Sequence, residues 1–321
     1  MQEPVRTIKG VHYLQAQASG IDFEAKQVHC TEVYAHREEV QPGSWKSQPK
    51  AELSIPYDKL VIATGTKSNT FGVPGITSQE EAGGVSPSGT SRHNVFFLKQ
   101  LEHARAIRNR IIECFERASS PSVSEAERRR LLTFVVVGGG PTSIEFTSEL
   151  YDFLTRDVSL WYPDLAESHS VTLVEAGKHL LGSFDETLST YVERKFKRRQ
   201  IRLLTGESVK KVRGNSVELS SGTVVNFGVC VWSTGNSPLD FIKQLRLEMS
   251  RWVGSDCTFV IMNDAPQRQG RILVGPRLEV SGREDVYALG DCAEDRWWLF
   301  IWDGKVETQV HSWGRGNALF E

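Results

Sequence analysis

Gly138 and Gly140, two residues apart after the apolar run "TFVVV" (133–137), are the residues whose spacing most directly suggests chemistry. With Gly139 between them and Pro141, Thr142 and Ser143 after them, they read as strand, glycine turn and helix. The pattern is close to G-x-G-x-x-G, with serine in the third glycine's place. In such a turn the first glycine permits the tight bend, the second lets a pyrophosphate approach the backbone, and the third lets the helix pack on the strand. The helix would open at Pro141 and Thr142, where free N–H groups and the helix dipole favour an anion; proline suits that turn because its missing donor is not needed. Ser143 bears on packing, being little larger than alanine and able to bond a nearby carbonyl. A lone glycine motif is a weak signal. Its support is Glu175, which closes the next apolar run, "VTLVE", and is placed to bond the ribose hydroxyls of NAD while repelling a 2′-phosphate. Glu175 lies farther from Gly138 than the roughly 20 residues usual, and "TRDVSLWYPDLAESHS" accounts for the excess. Glu145 admits two readings: a favourable dipole interaction on the first helical turn, or a carboxylate beside the nicotinamide. Position alone favours the first.

These residues need a scaffold. Apolar runs bounded by turn residues predict strands at 60–63, 134–137, 171–174, 229–232 and 286–289. Apolar residues at three- and four-residue spacing predict helices over 98–118, 144–158 and 185–200. Strands alternating with helices imply parallel sheets covered by crossover helices, an α/β class. Two strands end alike: "LVIATG" reaches Thr64 and Gly65, and "CVWSTG" reaches Thr234 and Gly235. Ligands in open α/β sheets bind beyond the carboxyl ends of strands, so the repeated ending suggests two nucleotide sites, although Thr-Gly turns are common. The Gly/Ser/Pro-rich stretch 79–94 reads as a flexible surface loop and 118–127 as a connector.

With 38 Lys and Arg against 40 Asp and Glu, the 321-residue chain lacks the basic surplus that nucleic acid would reward. The short run "ERRR" at 127–130 reads as a solvated helix face. Cys30, Cys114, Cys230, Cys257 and Cys292 show no C-x-x-C or metal-ligand spacing, which argues for a reducing compartment and against a disulfide framework or metal centre. No apolar run approaches the roughly 20 residues that cross a bilayer, and the first residues carry no targeting pattern.

Longer stretches resemble a known family, the type II (alternative) NADH:quinone oxidoreductases, within the FAD- and NAD(P)-binding pyridine nucleotide-disulfide oxidoreductase superfamily. The similar segments are "EPVR", "YDKLVIATGTKSNTFGVPG", "FLKQLEHARAIRNRIIECFERA", "FVVVGGGPTSIEFTSELYDFL", "VEAG", "VWSTGN" and "VYALGDCAE", ordered as in the family from near the first residue to about Glu294. The resemblance implies two dinucleotide-binding, Rossmann-like domains, the NADH domain inserted in the FAD domain. It implies FAD and NADH as cofactors, with hydride passing from nicotinamide to flavin and electrons on to a ubiquinone-type quinone. Glu145 then matches the nicotinamide-side glutamate, which reverses the preference from position. Gly290 and Asp291 match the turn whose carboxylate meets the flavin's ribityl chain, Thr64 and Gly65 the FAD-side turn, and Thr234, Gly235 and Asn236 the NADH-side turn. NADH, a quinone and peripheral association with the mitochondrial inner membrane are the implied partners and place, with homodimer formation left open.

Two departures qualify this. No G-x-G-x-x-G precedes Gly65, so the first βαβ unit of the FAD domain is expected to be missing. After Glu294 the chain turns Trp-rich, with Trp297, Trp298, Trp302 and Trp313 in place of the family's continuation. The expected layout is a partial FAD-binding domain over 1–97, a helical connector over 98–130, an NADH-binding domain over 131–240, a return to the FAD domain over 241–296 and an atypical tail over 297–321. A truncated NAD(H)-binding homologue that cannot retain FAD is the alternative to the working dehydrogenase.

Overall fold

The computed structural model describes residues 9–33, 37–41, 44–47, 50–76, 94–245, 271–280 and 282–295. The loop expected at 79–94 (apart from Asn94), Cys257 and the Trp-rich tail lie outside them. In chain order the elements are β1 (Ala16–Asp22), β2 (Gln27–Glu32), β3 (Arg37–Gln41), β4 (Ser44–Ser47), β5 (Glu52–Pro56), β6 (Leu60–Ile62), β7 (Thr66–Ser68) and β8 (Val95–Phe97). There follow α1 (Leu101–Ala118), α2 (Glu125–Leu131), β9 (Thr133–Val137), α3 (Pro141–Asp152), β10 (Ser170–Glu175), α4 (Glu186–Arg198) and β11 (Arg202–Thr205). The last are β12 (Val209–Arg213), β13 (Ser216–Leu219), β14 (Val224–Asn226), β15 (Val229–Trp232), β16 (Asn236–Pro238), β17 (Ile272–Val274), β18 (Val286–Ala288) and β19 (Ala293–Asp295). The chain divides into two compact units, Lys67–Ser237 and a second drawn from the residues on either side of it.

The Lys67–Ser237 unit is built on a five-stranded sheet in the order β11-β10-β9-β15-β8, every neighbouring pair parallel. Its strands are short β-branched and aromatic runs, and their alternation fixes which face each side chain joins. Phe134, Val136, Val229 and Val231 enter a core shared with the helices. Val135, Val137, Cys230 and Trp232 enter a second core, shared with the antiparallel sheet β12-β13-β14. Both faces are thus covered, which is why these strands read as continuous apolar runs. Each fully buried Val or Phe contributes roughly 1.5–3 kcal/mol. On the helical side, α1 turns Ile107, Ile111, Cys114, Phe115 and Ala118 inward at helical spacing.

The other unit holds the antiparallel sheet β1-β2-β5 and two parallel pairs, β6 with β18 and β17 with β19. Its core gathers Ile21, Ile62, Ile242, Leu245, Val274, Val280, Val286, Ala288 and Cys292.

The expected strands all form, and so do the three expected helices, those over 98–118 and 185–200 with shorter bounds and the middle one opening earlier, at Pro141. The helix expected over 144–158 is α through Asp152 and then a π-helical turn, Phe153–Val158. The expected boundaries at 97 and 130 are corrected. Val95–Phe97 pairs along β15, α1 packs on β8 and β15, and α2 packs on β9, so these three elements fold with the sheet that carries the glycine turn. The "ERRR" run is also only partly a solvated face. Arg129 is exposed, but Arg130 grips Glu127 with two nitrogens at 2.7 and 2.6 Å and donates a third bond to the Phe227 carbonyl at 2.8 Å.

The Arg130 fork holds the Glu127 carboxyl below its ordinary 4.5. This contribution is fully present above that value and is lost as pH falls through the lower folded pKa. Glu127→Gln is expected to cost at most about 1 kcal/mol at pH 7 after solvent screening, a difference from wild type that narrows in urea titrations as the pH is taken below the ordinary carboxylate range.

Candidate functional site

Three strand ends meet at the carboxyl edge of the five-stranded sheet. The chain runs β9, β10, β11 outward and then returns to place β15 on the other side of β9, so β9 and β15 flank a switch point of the topology. A cleft of about 360 Å³ lies there, lined by Gly138, Gly139 and Gly140 after β9, by Glu175 and Ala176 after β10, and by Trp232, Ser233, Thr234 and Gly235 after β15.

Gly138 carries φ +117, a backbone state side chains rarely adopt, and a Cβ there would stand 2.4 Å from the Ser233 carbonyl oxygen. Gly140 begins α3 as its N-cap, without a side-chain cap, and Pro141 takes the first helical position with Thr142 after it, both exposed. A Cβ on Gly140 would meet nothing within 4 Å, so that glycine leaves open space beside the helix N-terminus. Gly139 makes room of another kind. A Cβ there would lie 2.7 Å from the Glu175 side chain, so the bare glycine lets that carboxylate fold against the turn. Glu175 Oε1 accepts the Gly177 N–H at 2.5 Å, which sets the head group at the cleft wall. The Gly139 carbonyl is fixed in turn by the Leu181 N–H at 2.8 Å.

Ser143 is fully buried, and its hydroxyl donates to the Ser233 carbonyl at 3.1 Å. The acceptor expected near the helix is therefore supplied by the end of β15. Serine joins α3 to the far lip of the cleft, a bond glycine could not make.

Thr234 is locked to a segment the sequence did not associate with this site. The Asn69 carbonyl accepts both the Thr234 hydroxyl at 2.6 Å and the Trp232 indole N–H at 2.9 Å, bringing Phe71 and Val73 to the cleft wall. Gly235 lies under the Phe71 ring, where a Cβ would approach to 3.2 Å. Asn236 accepts from the Lys99 ammonium at 2.6 Å and does not line the cleft. Glu145 is the fifth residue of α3, exposed and just past the first turn rather than on it, and it too does not line the cleft. Glu207, Ser208 and Val209 do, and nothing in their spacing from Gly138 marked them.

The second candidate set lies in the other unit. The parallel strands β6 and β18 deliver Thr64 and Gly65, and Gly290 and Asp291, to one edge. Gly65 (φ +69) and Gly290 (φ +77) both take the left-handed state their turns require. The Thr66 hydroxyl donates to Asp291 at 3.4 Å, and the Cys292 thiol is buried against the carbonyls of Ile62 and Leu289. These turns offer backbone groups and a carboxylate beyond strand ends, a setting that fits part of a second dinucleotide such as FAD.

The other described cysteines are buried and separate, with burial pushing the Cys114 thiol up to about 11 and raising that of Cys230 as well. Among the described residues no group of His, Cys, Asp and Glu could hold a metal, and no helix is long and apolar enough to cross a membrane.

Known proteins share this sequence pattern and fold. The external alternative NAD(P)H-ubiquinone oxidoreductase B4 of Arabidopsis thaliana mitochondria is 37% identical over 300 residues, covering 91% of this chain and 45% of that protein. The external NADH-ubiquinone oxidoreductase 2 of Saccharomyces cerevisiae mitochondria is 37% identical over 343 aligned positions, covering 99% and 55%. The chain spans about half the length of these curated relatives. The solved structure of NDH2 from Plasmodium falciparum in complex with NADH superposes with a TM-score of 0.68 at 25% identity, over 88% of this chain and 50% of that one. The family model for pyridine nucleotide-disulphide oxidoreductases matches residues 4–316, nearly the whole sequence, and the chain belongs to that family.

Proposed function

We propose that the chain carries the NADH- and FAD-binding parts of a type II NADH:quinone oxidoreductase, moving hydride from NADH to flavin and electrons on to a ubiquinone-type quinone. The observation that carries this is the cleft at the β9/β15 switch point, with a glycine turn on one wall and Glu175 folded beside it. Gly138 and Gly140 let backbone N–H groups approach the NADH pyrophosphate, and the uncapped N-terminus of α3 faces its charge. Glu175 accepts hydrogen bonds from the adenosine ribose and repels a 2′-phosphate. Trp232, Thr234 and Phe71 wall the opposite lip. Glu145, assigned by resemblance, is the carboxylate on the nicotinamide side. Thr64, Gly65, Gly290 and Asp291 hold part of FAD, which when bound takes the hydride and returns electrons to the quinone. A quinone lives in a bilayer, so the working enzyme docks peripherally on a membrane; the names of the relatives support the mitochondrion as its place, and the inner membrane follows from the family resemblance alone.

Two measurements test this. The purified chain incubated with FAD should show flavin absorbance that bleaches on adding NADH, and absence of flavin bands would sink the dehydrogenase reading. NADH should bind at least about tenfold more tightly than NADPH, and Glu175→Ala should weaken NADH by about 10- to 100-fold, the worth of hydrogen bonds to a charged acceptor. Equal affinity for the two nucleotides would show Glu175 to be misassigned.

A further inference from the structure

The cleft holds a second carboxylate that the glycine turn does not explain. Glu207 follows β11, the strand outside β10, and lines the cavity. Its backbone N–H donates to the Glu175 carbonyl at 3.0 Å, so the two acidic residues occupy adjacent strand ends. One oxygen, Oε2, is held twice, by the Ser220 hydroxyl at 2.6 Å and by the Ser221 N–H at 3.1 Å, both from the turn joining β13 and β14. Ser221 also brings its side chain near this carboxyl, but the Ser220 hydroxyl and the Ser221 N–H both fall on Oε2 and no bond of ordinary geometry among the described residues falls on Oε1. Two donors on one oxygen restrict the side chain of this cleft-lining residue and leave Oε1 as the oxygen available to a ligand. The Ser220 hydroxyl and the Ser221 donors also hold the carboxyl below its ordinary range, so at neutral pH it accepts and never donates.

The strand ends are ordered as a dinucleotide is. The glycine turn follows β9, Glu175 ends β10, and Glu207 follows β11. A nucleotide with its pyrophosphate at the first and its ribose at the second directs its base towards the third. We propose that Glu207 reads the adenine ring, accepting a hydrogen bond from the exocyclic 6-amino group through Oε1 and so selecting adenine over a 6-oxo purine. This rests on the reading of the cleft as the NADH site. A 6-oxo purine sets a carbonyl oxygen against the carboxylate, acceptor facing acceptor. The competing account is that Glu207 only braces the β13–β14 turn.

The test is an equilibrium titration of the full chain with NADH and with reduced nicotinamide hypoxanthine dinucleotide, which carries an oxygen where adenine carries the 6-amino group. Wild type is expected to bind NADH about tenfold more tightly, the worth of one hydrogen bond to a charged acceptor. Glu207→Gln keeps an oxygen for Ser220 and Ser221 and turns an amide NH2 to the cleft. It is expected to weaken NADH and tighten the hypoxanthine nucleotide, reversing their order. Ser220→Ala, which loosens the side chain but keeps the acceptor, should narrow the preference without reversing it. Equal wild-type affinities would overturn the proposal while leaving the NADH site intact. So would an E207Q variant that weakens both nucleotides alike or leaves the preference unchanged. Should E207Q fail to fold, the wild-type ratio and Ser220→Ala decide. Failure of wild type to bind NADH at all would overturn the cleft reading beneath the proposal.

Discussion

Gly138→Ala is expected to destabilise the Lys67–Ser237 unit by about 3 kcal/mol and to weaken NADH binding by at least about a hundredfold. Two penalties combine. The φ of +117 suits glycine, and holding another residue in such a region costs on the order of 1–3 kcal/mol. The new methyl would also stand 2.4 Å from the Ser233 carbonyl oxygen and 2.9 Å from the Ser143 hydroxyl, the two atoms joined across the cleft. Relieving that contact means pushing β15 from α3, at about 1–3 kcal/mol for overpacking, and opening the site. For a unit of this size the melting temperature should fall by roughly 10 °C. Gly140→Ala is the companion measurement. Its methyl meets nothing within 4 Å, so stability should hold while NADH affinity falls, because the space it fills is that assigned to the pyrophosphate. A Gly138→Ala chain with ordinary melting temperature and ordinary NADH affinity would contradict the account of the turn.

Gly228→Ala is expected to be as damaging with no ligand involved. A Cβ there would lie 2.0 Å from the Leu131 carbonyl oxygen, 2.7 Å from the carbonyl carbon and 3.0 Å from the Cys114 sulfur. None of these can retreat easily. The Gly228 N–H is bonded to the Thr133 carbonyl at 2.8 Å, Leu131 and Cys114 are fully buried, and the preceding carbonyl, that of Phe227, is held by Arg130. Overpacking against backbone in a dense core belongs at the upper end of the usual range, about 3 kcal/mol or more. The urea midpoint of the variant checks it. A loss below about 1 kcal/mol would mean that α1 and α2 can shift where the packing says they cannot.

The glycine turn and its scaffold were legible because their signals are local. "TFVVV" is a β-branched run that only a strand buried on both faces explains, and Gly138, Gly140 and Pro141 have turn and helix-start meanings that hold without knowledge of the partner strand. Glu175 was legible by its place at the end of the next strand. The boundary of the unit was not. Val95–Phe97 is a three-residue strand, too short for a period to register, and its identity comes from pairing with Val229–Trp232 far along the chain. The inward stripe of α1 announced a buried helix without saying which sheet it covers. Phe71 and Val73 reached the cleft through the Asn69 carbonyl, a contact no sequence pattern encodes. Glu207 was hidden for the same reason. Its role depends on a serine turn between two later strands, and an isolated glutamate after "RLLT" otherwise reads as surface.

The Asn69 carbonyl, bonded by Trp232 and Thr234, has a consequence for the history and handling of the molecule. It brings the first residues of the Lys67–Ser237 unit beside the last, so the unit enters and leaves through one point and its chain closes nearly into a ring. A segment of that form can be lifted out or spliced into another sequence at little entropic cost, and it can be circularly permuted by joining its ends and opening a surface loop. In hydrogen exchange such a ring should open as its own cooperative block, its protected amides released together.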